Sequence, residues 1–225
     1  MPLHVSRIHA LCFDIDGTLS NTDDQMVAQL AGLLRPVRFL LSARNARRAA
    51  RRLVMASEAP ANFVLGLPDL IGADGPMFAA ADWMARTFHS RPHKYWLMPG
   101  VREMLTGLSR RYPLAVVSAR DQRTTHNFLE QFDLLPLFRC VATDQTCRHT
   151  KPFPDPILWA AAQMGVEPQD CLMIGDTTVD MRAGKAAGSQ TIGVLCGFGE
   201  ENELRRKGAD MILNETAELS DVLEA

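Results

Sequence analysis

The chain has 225 residues, of which 47% are hydrophobic and 22% are charged. This length suits one sizeable domain, or a core domain with a small insertion, and the composition argues against disorder. The formal net charge of −2 gives no reason to expect nucleic acid as a partner. No stretch has the roughly 18 consecutive apolar residues of a membrane span, and no secretory signal is recognisable, so no membrane partner is expected.

The cysteines are scattered and form no C-x-x-C pair. They are Cys12, Cys140, Cys147, Cys171 and Cys196. An odd, dispersed set in a chain of this size is typical of reduced thiols. We therefore expect a cytoplasmic protein.

Short apolar runs recur along the chain and predict the strands of a sheet. In chain order they are HALCFDI, PLAVVS, FRCVAT, DCLMIGD, TIGVLCG and ADMIL. Runs that are rich in Val, Ile and Leu and do not alternate are typical of strands buried on both faces. Amphipathic stretches between them predict helices over 101–110, 124–131, 155–164 and 178–187. This alternation predicts an α/β fold with a doubly wound parallel sheet.

One region, from about Ser20 to Met98, contains no convincing strand. Its capping residues and breakers predict helices, including one over 37–56 and one over 77–89. We therefore predict a core domain of residues 1–20 and 97–225, with a small all-helical cap domain over 21–96. The arginines of the second cap helix share one face, which is either a solvated surface or a positive surface that attracts phosphorylated substrates. They are Arg44, Arg47, Arg48, Arg51 and Arg52.

Residues that can carry chemistry or bind ligands follow the predicted strands, where ligands bind in open α/β sheets. They are Asp14, Asp16, Gly17 and Thr18 after the first strand, Ser118 after the second, Lys151 before a helix, and Asp176 and Asp180 after a later strand. Crowded carboxylates raise one another's pKa, and a hard cation such as Mg²⁺ relieves that repulsion. One carboxylate can then attack phosphorus, a second can exchange protons with the leaving group and water, and the lysine can neutralise charge.

These residues resemble, in chain order, the four motifs of the haloacid dehalogenase (HAD) superfamily. The motifs are DxDGTL, the serine after the second strand, Lys-Pro before a helix, and GDxxxD. The stretches KPFPDPIL, GDTTVDMRAGKAAG and TIGVLCGFG are similar to the phosphoglycolate-phosphatase-like branch. The resemblance covers residues 8–20 and 97–225. It implies a HAD-like, Rossmannoid core, and the insertion site matches the helical cap of that branch.

The resemblance also implies a role for each matching residue. Asp14 would be the nucleophile and a metal ligand, and Asp16 the general acid and base, with its carbonyl on the metal. Asp176 would bind Mg²⁺ directly, while Asp180 would act through a water molecule or support the groups that bind the ion. Lys151 would pair with Asp14 and the phosphoryl group. The phosphoryl group would also be held by Gly17, Thr18, Ser118 and Ala119.

The function implied is a magnesium-dependent phosphatase that forms an aspartyl-phosphate and acts on a small phosphorylated metabolite. The chain would be a monomer or a homodimer. Two alternatives stay open: a phosphomutase on a phosphosugar, and a non-catalytic binding or regulatory module on the same fold. A dehalogenase is disfavoured, because Asp16 is present where that branch lacks a second acid. Asn21 stands where many relatives carry Asp, which bears on the geometry of the cap.

Overall fold

The computed structural model describes residues 3–21 and 95–224. Within these ranges, six parallel strands form one sheet in the order β3-β2-β1-β4-β5-β6. The strands are β1 (Ala10–Phe13), β2 (Leu114–Val117), β3 (Cys140–Ala142), β4 (Cys171–Gly175), β5 (Gln190–Val194) and β6 (Met211–Leu213). Each strand overlaps one of the apolar runs, so the predicted parallel sheet is confirmed.

Six α-helices lie within the described ranges. They are α1 (Val101–Leu108), α2 (Gln122–Gln131), α3 (Asp155–Met164), α4 (Thr178–Ala187), α5 (Glu201–Arg206) and α6 (Leu219–Glu224). The bounds of α3 and α4 are those predicted from the sequence. Helix α2 begins two residues earlier than predicted, because Oδ1 of Asp121 accepts a hydrogen bond from the backbone N of Thr124 at 3.0 Å and caps it. Helices α5 and α6 were not predicted.

The two faces of the sheet are buried under different helices, as expected for a doubly wound fold. Leu11 and Phe13 of β1 belong to a hydrophobic cluster that includes side chains of α1, α2 and α6. Ala10 and Cys12 of the same strand face the opposite way, into a cluster with side chains of α3 and α4. Burial on both faces explains why β1 reads as a continuous apolar run in the sequence.

The strand register places the functional residues at one edge of the sheet. Phe13, the last residue of β1, pairs with Val116 of β2 and with Ile174 of β4. The chain moves outward from β1 through β2 to β3 and then returns to the other side of β1 as β4, which makes a topological switch point between β1 and β4. Open α/β sheets bind their ligands at such points.

The predicted cap and the arginine face of its second helix lie outside the described residues, apart from the ends of the insertion. There, Ser20 and Leu97 form an isolated antiparallel bridge, and the backbone N of Asn21 donates to the carbonyl of Trp96 at 2.9 Å. The chain therefore leaves and re-enters the core at adjacent points, while the division into core and cap stays a prediction. Among the described helices, none has the length and apolar character needed to cross a membrane.

Substitution of Gly184 tests how closely α4 packs on the sheet, and Gly107 of α1 provides a control. A Cβ on Gly184 would lie 2.4 Å from Cγ2 of Thr191 and 3.1 Å from Cβ of Met173, whereas a Cβ on Gly107 would meet nothing within 4 Å. Gly184→Ala is expected to lower the free energy of unfolding by about 1–3 kcal/mol through overpacking. Gly107→Ala, the matched control, is expected to raise it by about 0.4–1 kcal/mol. Urea unfolding measures both values, and equal changes in the two variants would contradict the packing described.

Candidate active site

A buried cluster of carboxylates lies where β1 and β4 end. Asp14 follows β1, Asp176 follows β4, and Asp180 lies in the first turn of α4. One carboxylate oxygen from each residue lies within 4.8 Å of the others, and all three side chains are buried. Three acids from distant parts of the sequence therefore converge in a space of low dielectric, where charge repulsion is strong.

Lys151 is the buried cation that bridges this cluster. Its Nζ donates hydrogen bonds to Oδ1 of Asp14 and to Oδ1 of Asp180, each at 2.6 Å, and only 4% of its side chain is exposed. Burial alone would lower the pKa of Lys151, but the charges of the two carboxylates outweigh burial and raise that pKa well above its usual value. Lys151 is therefore protonated and holds the two acids together.

One lysine does not balance the negative charge of the cluster. The pKa of Asp14 is raised to about 8, mainly by burial and in addition by the charges of Asp180 and Asp16, while Lys151 opposes this rise. An added cation would restore the ionised form of Asp14, which is the form that can act as a nucleophile. The donor set consists of carboxylate oxygens, which suits a hard divalent cation. The cluster thus fits a divalent metal site.

The two later acids are held in different ways. Oδ2 of Asp176 accepts a hydrogen bond from the backbone N of Phe198 at 2.7 Å. Oδ2 of Asp180 accepts from the backbone N and the hydroxyl of Thr177, at 3.0 and 2.6 Å, while its Oδ1 accepts from Lys151. Because both oxygens of Asp180 are hydrogen-bonded within the protein, Asp176 is better suited to ligate a cation directly.

Two glycines allow loops to pack directly on Asp176. Gly17 has a φ of +74°, and a Cβ at this position would lie 2.2 Å from Oδ2 of Asp176. A Cβ on Gly197, in the loop after β5, would lie 2.1 Å from the same oxygen. Any side chain at either position would push the loop away from the carboxylate. The glycine of the DxDGT motif is therefore required both for its backbone conformation and for this close approach.

Asp16 lies beside the cluster and is bound by Arg120. Nε of Arg120 donates to Oδ2 of Asp16 at 2.6 Å, and Nη2 donates to Oδ1. Burial alone would lower the pKa of Arg120, but the charge of Asp16 and the hydrogen bonds to it raise that pKa above its ordinary value. No sequence motif singles out Arg120, because its only local signal is a basic residue two positions after Ser118.

The predicted phosphate-binding residues occupy the loops after β1 and β2. Ser118 is 3% exposed, and its Oγ accepts a hydrogen bond from the backbone N of Arg120 at 3.2 Å. Thr18 is fully buried, whereas Ala119 is exposed. Within the described residues, no hydrogen bond joins the side chain of Ser118 or Thr18 to the three clustered acids. The hydroxyls of Ser118 and Thr18 lie at the same edge of the sheet as the acids, and their roles in binding phosphate stay predictions.

The loop after β1 is also tied to the opposite side of the site by residues that sequence reasoning did not identify. Sγ of Cys196 donates to the carbonyl of Gly17 at 3.4 Å, and Oγ1 of Thr216 donates to the carbonyl of Thr18 at 2.7 Å. Sγ of Cys196 and Oγ1 of Thr216 lie 3.3 Å apart. These bonds hold the DxDGT loop in place, and no local sequence pattern predicts them.

Comparison with known proteins agrees with this geometry. The family model of haloacid dehalogenase-like hydrolases matches residues 11–194. Pyrophosphatase PpaX of Bacillus pumilus is 26% identical over 99% of this chain and 100% of its own length. Phosphoglycolate phosphatase of Chromobacterium violaceum is 27% identical over 99% of each chain. A solved structure from Bacteroides vulgatus, provisionally named β-phosphoglucomutase, has a TM-score of 0.69 and 26% identity, covering 96% of this chain and 88% of that one.

The chain therefore belongs to the haloacid dehalogenase-like hydrolase family, because the matching region spans most of its length. The resemblance seen in the sequence motifs is confirmed, as is the HAD-like fold. The prediction of an enzyme is confirmed as well, and the names of the two sequence relatives agree with the predicted phosphatase class. A non-catalytic module is accordingly disfavoured.

The pH dependence of stability tests the charge imbalance of the cluster. Burial and the neighbouring carboxylates raise the pKa of Asp14 to about 8 in the folded, metal-free protein, whereas Asp titrates at about pH 4 in the unfolded chain. The native state thus binds more protons within this window. We therefore expect the free energy of unfolding of the wild type to fall relative to that of Asp14→Asn as the pH rises from about 4 to about 8. Above about pH 8 the difference between the two proteins should stay constant. Urea unfolding with EDTA at several pH values measures that difference, which would stay constant if Asp14 titrated normally.

Proposed function

We propose that the chain is a magnesium-dependent phosphatase that hydrolyses a small phosphate monoester through an aspartyl-phosphate on Asp14. The observation that carries this proposal is the buried arrangement in which Nζ of Lys151 contacts both Asp14 and Asp180 at 2.6 Å, with Asp176 alongside. Such an arrangement supports phosphoryl transfer, because it presents a carboxylate nucleophile beside positive charge in a buried site.

In the first step, a carboxylate oxygen of Asp14 attacks the phosphorus atom and forms an O–P bond. The P–O bond to the leaving group breaks, and Asp16 supplies the proton that the leaving alcohol needs. Lys151 is already hydrogen-bonded to Asp14, so it lies beside the transferring group and offsets its charge. Ser118, Ala119, Thr18 and Gly17 are the proposed ligands of the phosphoryl oxygens.

In the second step, water attacks the phosphorus atom of the aspartyl-phosphate and restores Asp14. Asp16, now ionised, takes the proton from that water, and inorganic phosphate leaves. The residues that would hold the cation are Asp14, Asp176 and the backbone carbonyl of Asp16. When bound, Mg²⁺ would neutralise charge on the carboxylates and on the phosphoryl oxygens. Asp180 would act indirectly, by fixing Lys151.

The proposed substrate is a small phosphorylated metabolite. Relatives that match nearly the whole chain are named for pyrophosphate and phosphoglycolate, both small phosphorylated compounds. A phosphomutase is the second candidate, supported by the similarity to the Bacteroides vulgatus structure. The five cysteines form no disulfide, which supports the cytoplasm as the proposed location.

Variants of the two acids test the covalent route with para-nitrophenyl phosphate as substrate. Asp14→Asn is expected to reduce turnover to background and to form no phosphoenzyme, because the nucleophile is lost. Asp16→Asn is expected to lower kcat by about 10²–10⁴-fold. It should also accumulate phosphoenzyme, because nitrophenolate leaves with little protonation while water is no longer activated. Acid quenching followed by mass spectrometry measures the phosphorylated fraction.

A control variant tests whether removing any carboxylate, rather than one in the active site, lowers turnover. Asp133→Asn removes a carboxylate whose side chain is 88% exposed, and it should leave turnover unchanged. The covalent route would be refuted by substantial turnover in Asp14→Asn or by the absence of phosphoenzyme in Asp16→Asn. Phosphorus NMR of products from a phosphosugar separates the two candidate functions, since a phosphatase releases inorganic phosphate and a phosphomutase yields an isomer.

A further inference from the structure

Arg120 is a largely buried cation in the loop between β2 and α2, and the four motifs give it no role. Its backbone is fixed on both sides: its N donates to Oγ of Ser118 at 3.2 Å, and its carbonyl accepts from the N of Asp144 at 3.0 Å. Only 13% of its side chain is exposed. Burying a guanidinium is unfavourable unless a specific partner compensates it, so its position calls for an explanation.

The guanidinium is held in a fixed orientation. Its Cζ lies 5.3 Å from the ring centre of Tyr95 and 5.7 Å from that of Phe128. These two rings pack edge to face with their centres 5.8 Å apart, and the carbonyl of Tyr95 accepts a hydrogen bond from Gln131 at 3.2 Å. The aromatic pair therefore forms a platform that limits rotation of the Arg120 side chain.

From this platform, Arg120 contacts both oxygens of Asp16. The two parallel N–H···O bonds make a fork that fixes the plane and the direction of the carboxylate, as a single contact cannot. The side chain of Asp16 is 29% exposed, so burial alone does not fix its orientation. An acid and base must present its oxygen to the reacting atom in one geometry, because small displacements reduce the rate strongly.

We infer that Arg120 is a positioning residue that orients the ionised Asp16 carboxylate to take the proton from water in the second step. The inference rests on the role proposed for Asp16 and goes beyond it by naming the group that fixes this acid. Nη1 of Arg120 is buried and makes no hydrogen bond within the described residues. Direct contact between Arg120 and substrate is thus the alternative that an experiment has to separate from positioning.

A double-mutant cycle makes this separation. The kcat and KM for para-nitrophenyl phosphate with Mg²⁺ are measured for wild type, Arg120→Gln, Asp16→Asn and the double variant. Arg120→Gln is expected to lower kcat by about 10- to 100-fold with little change in KM, because the acid is misplaced. In the Asp16→Asn background, the same substitution should change kcat by less than about twofold, since the residue through which Arg120 acts is already gone.

Two further variants distinguish a specific effect on Asp16 from a general effect on the stability of the fold. Arg120→Lys keeps the buried charge but can make only one contact, so it should fall between wild type and Arg120→Gln. Arg102→Gln, which removes an exposed arginine paired with Asp133 at 4.0 Å, should leave kcat unchanged. Urea unfolding checks each protein, and if Arg120→Gln does not fold, the cycle is run with Arg120→Lys.

The outcomes are distinguishable. If Arg120→Gln lowers kcat by the same factor in both backgrounds, Arg120 acts on the substrate or on the fold and the positioning role is overturned. If Asp16→Asn by itself keeps wild-type turnover, the role proposed for Asp16 fails first. If the loss appears only where Asp16 is present, Arg120 acts through Asp16.

Discussion

The double contact of Lys151 with Asp14 and Asp180 is the interaction on which the rest of the site depends. Carboxylates that are buried together repel one another, and burial itself disfavours their charge. Lys151 offsets part of this cost, since it is itself buried and bonded to two acids at 2.6 Å. The remaining imbalance is expressed in the raised pKa of Asp14, about 8. This charge imbalance and the carboxylate oxygens of the cluster fit a site for a divalent cation.

The fold supplies this site through close approach of backbone rather than through long side chains. Strands β1 and β4 are neighbours, so the residues that follow them emerge side by side. The loops that carry Gly17 and Gly197 then press on Asp176 at distances that exclude a Cβ. Hydrogen bonds from Cys196 and Thr216 keep the first of these loops in place. Sheet order, glycine positions and loop tethers together determine where the acids meet.

Most of the core could be predicted from the sequence, because its signals are local. Apolar runs located the strands, and the ends of α3 and α4 coincide with Gly165 and Gly188, whose left-handed conformations terminate helices. Helices α5 and α6 span six residues each, which is too short for a clear amphipathic period. Arg120 was missed for a different reason: its partner Asp16 lies 104 residues away, and only the folded chain shows the pairing. The division into core and cap remains a prediction, because the insertion lies outside the described residues.

Locating a bound cation is the most direct test of the central claim. Mn²⁺ can replace Mg²⁺ as a probe, and its anomalous scattering in a crystal identifies its ligands without ambiguity. We expect one ion bound by carboxylate oxygens of Asp14 and Asp176, with Lys151 still bonded to Asp180. We also expect Asp176→Asn, which can still accept the hydrogen bond from Phe198, to bind Mn²⁺ much more weakly while remaining folded. An ion bound elsewhere, or equal Mn²⁺ affinity in that variant, would contradict a cation site formed by these acids.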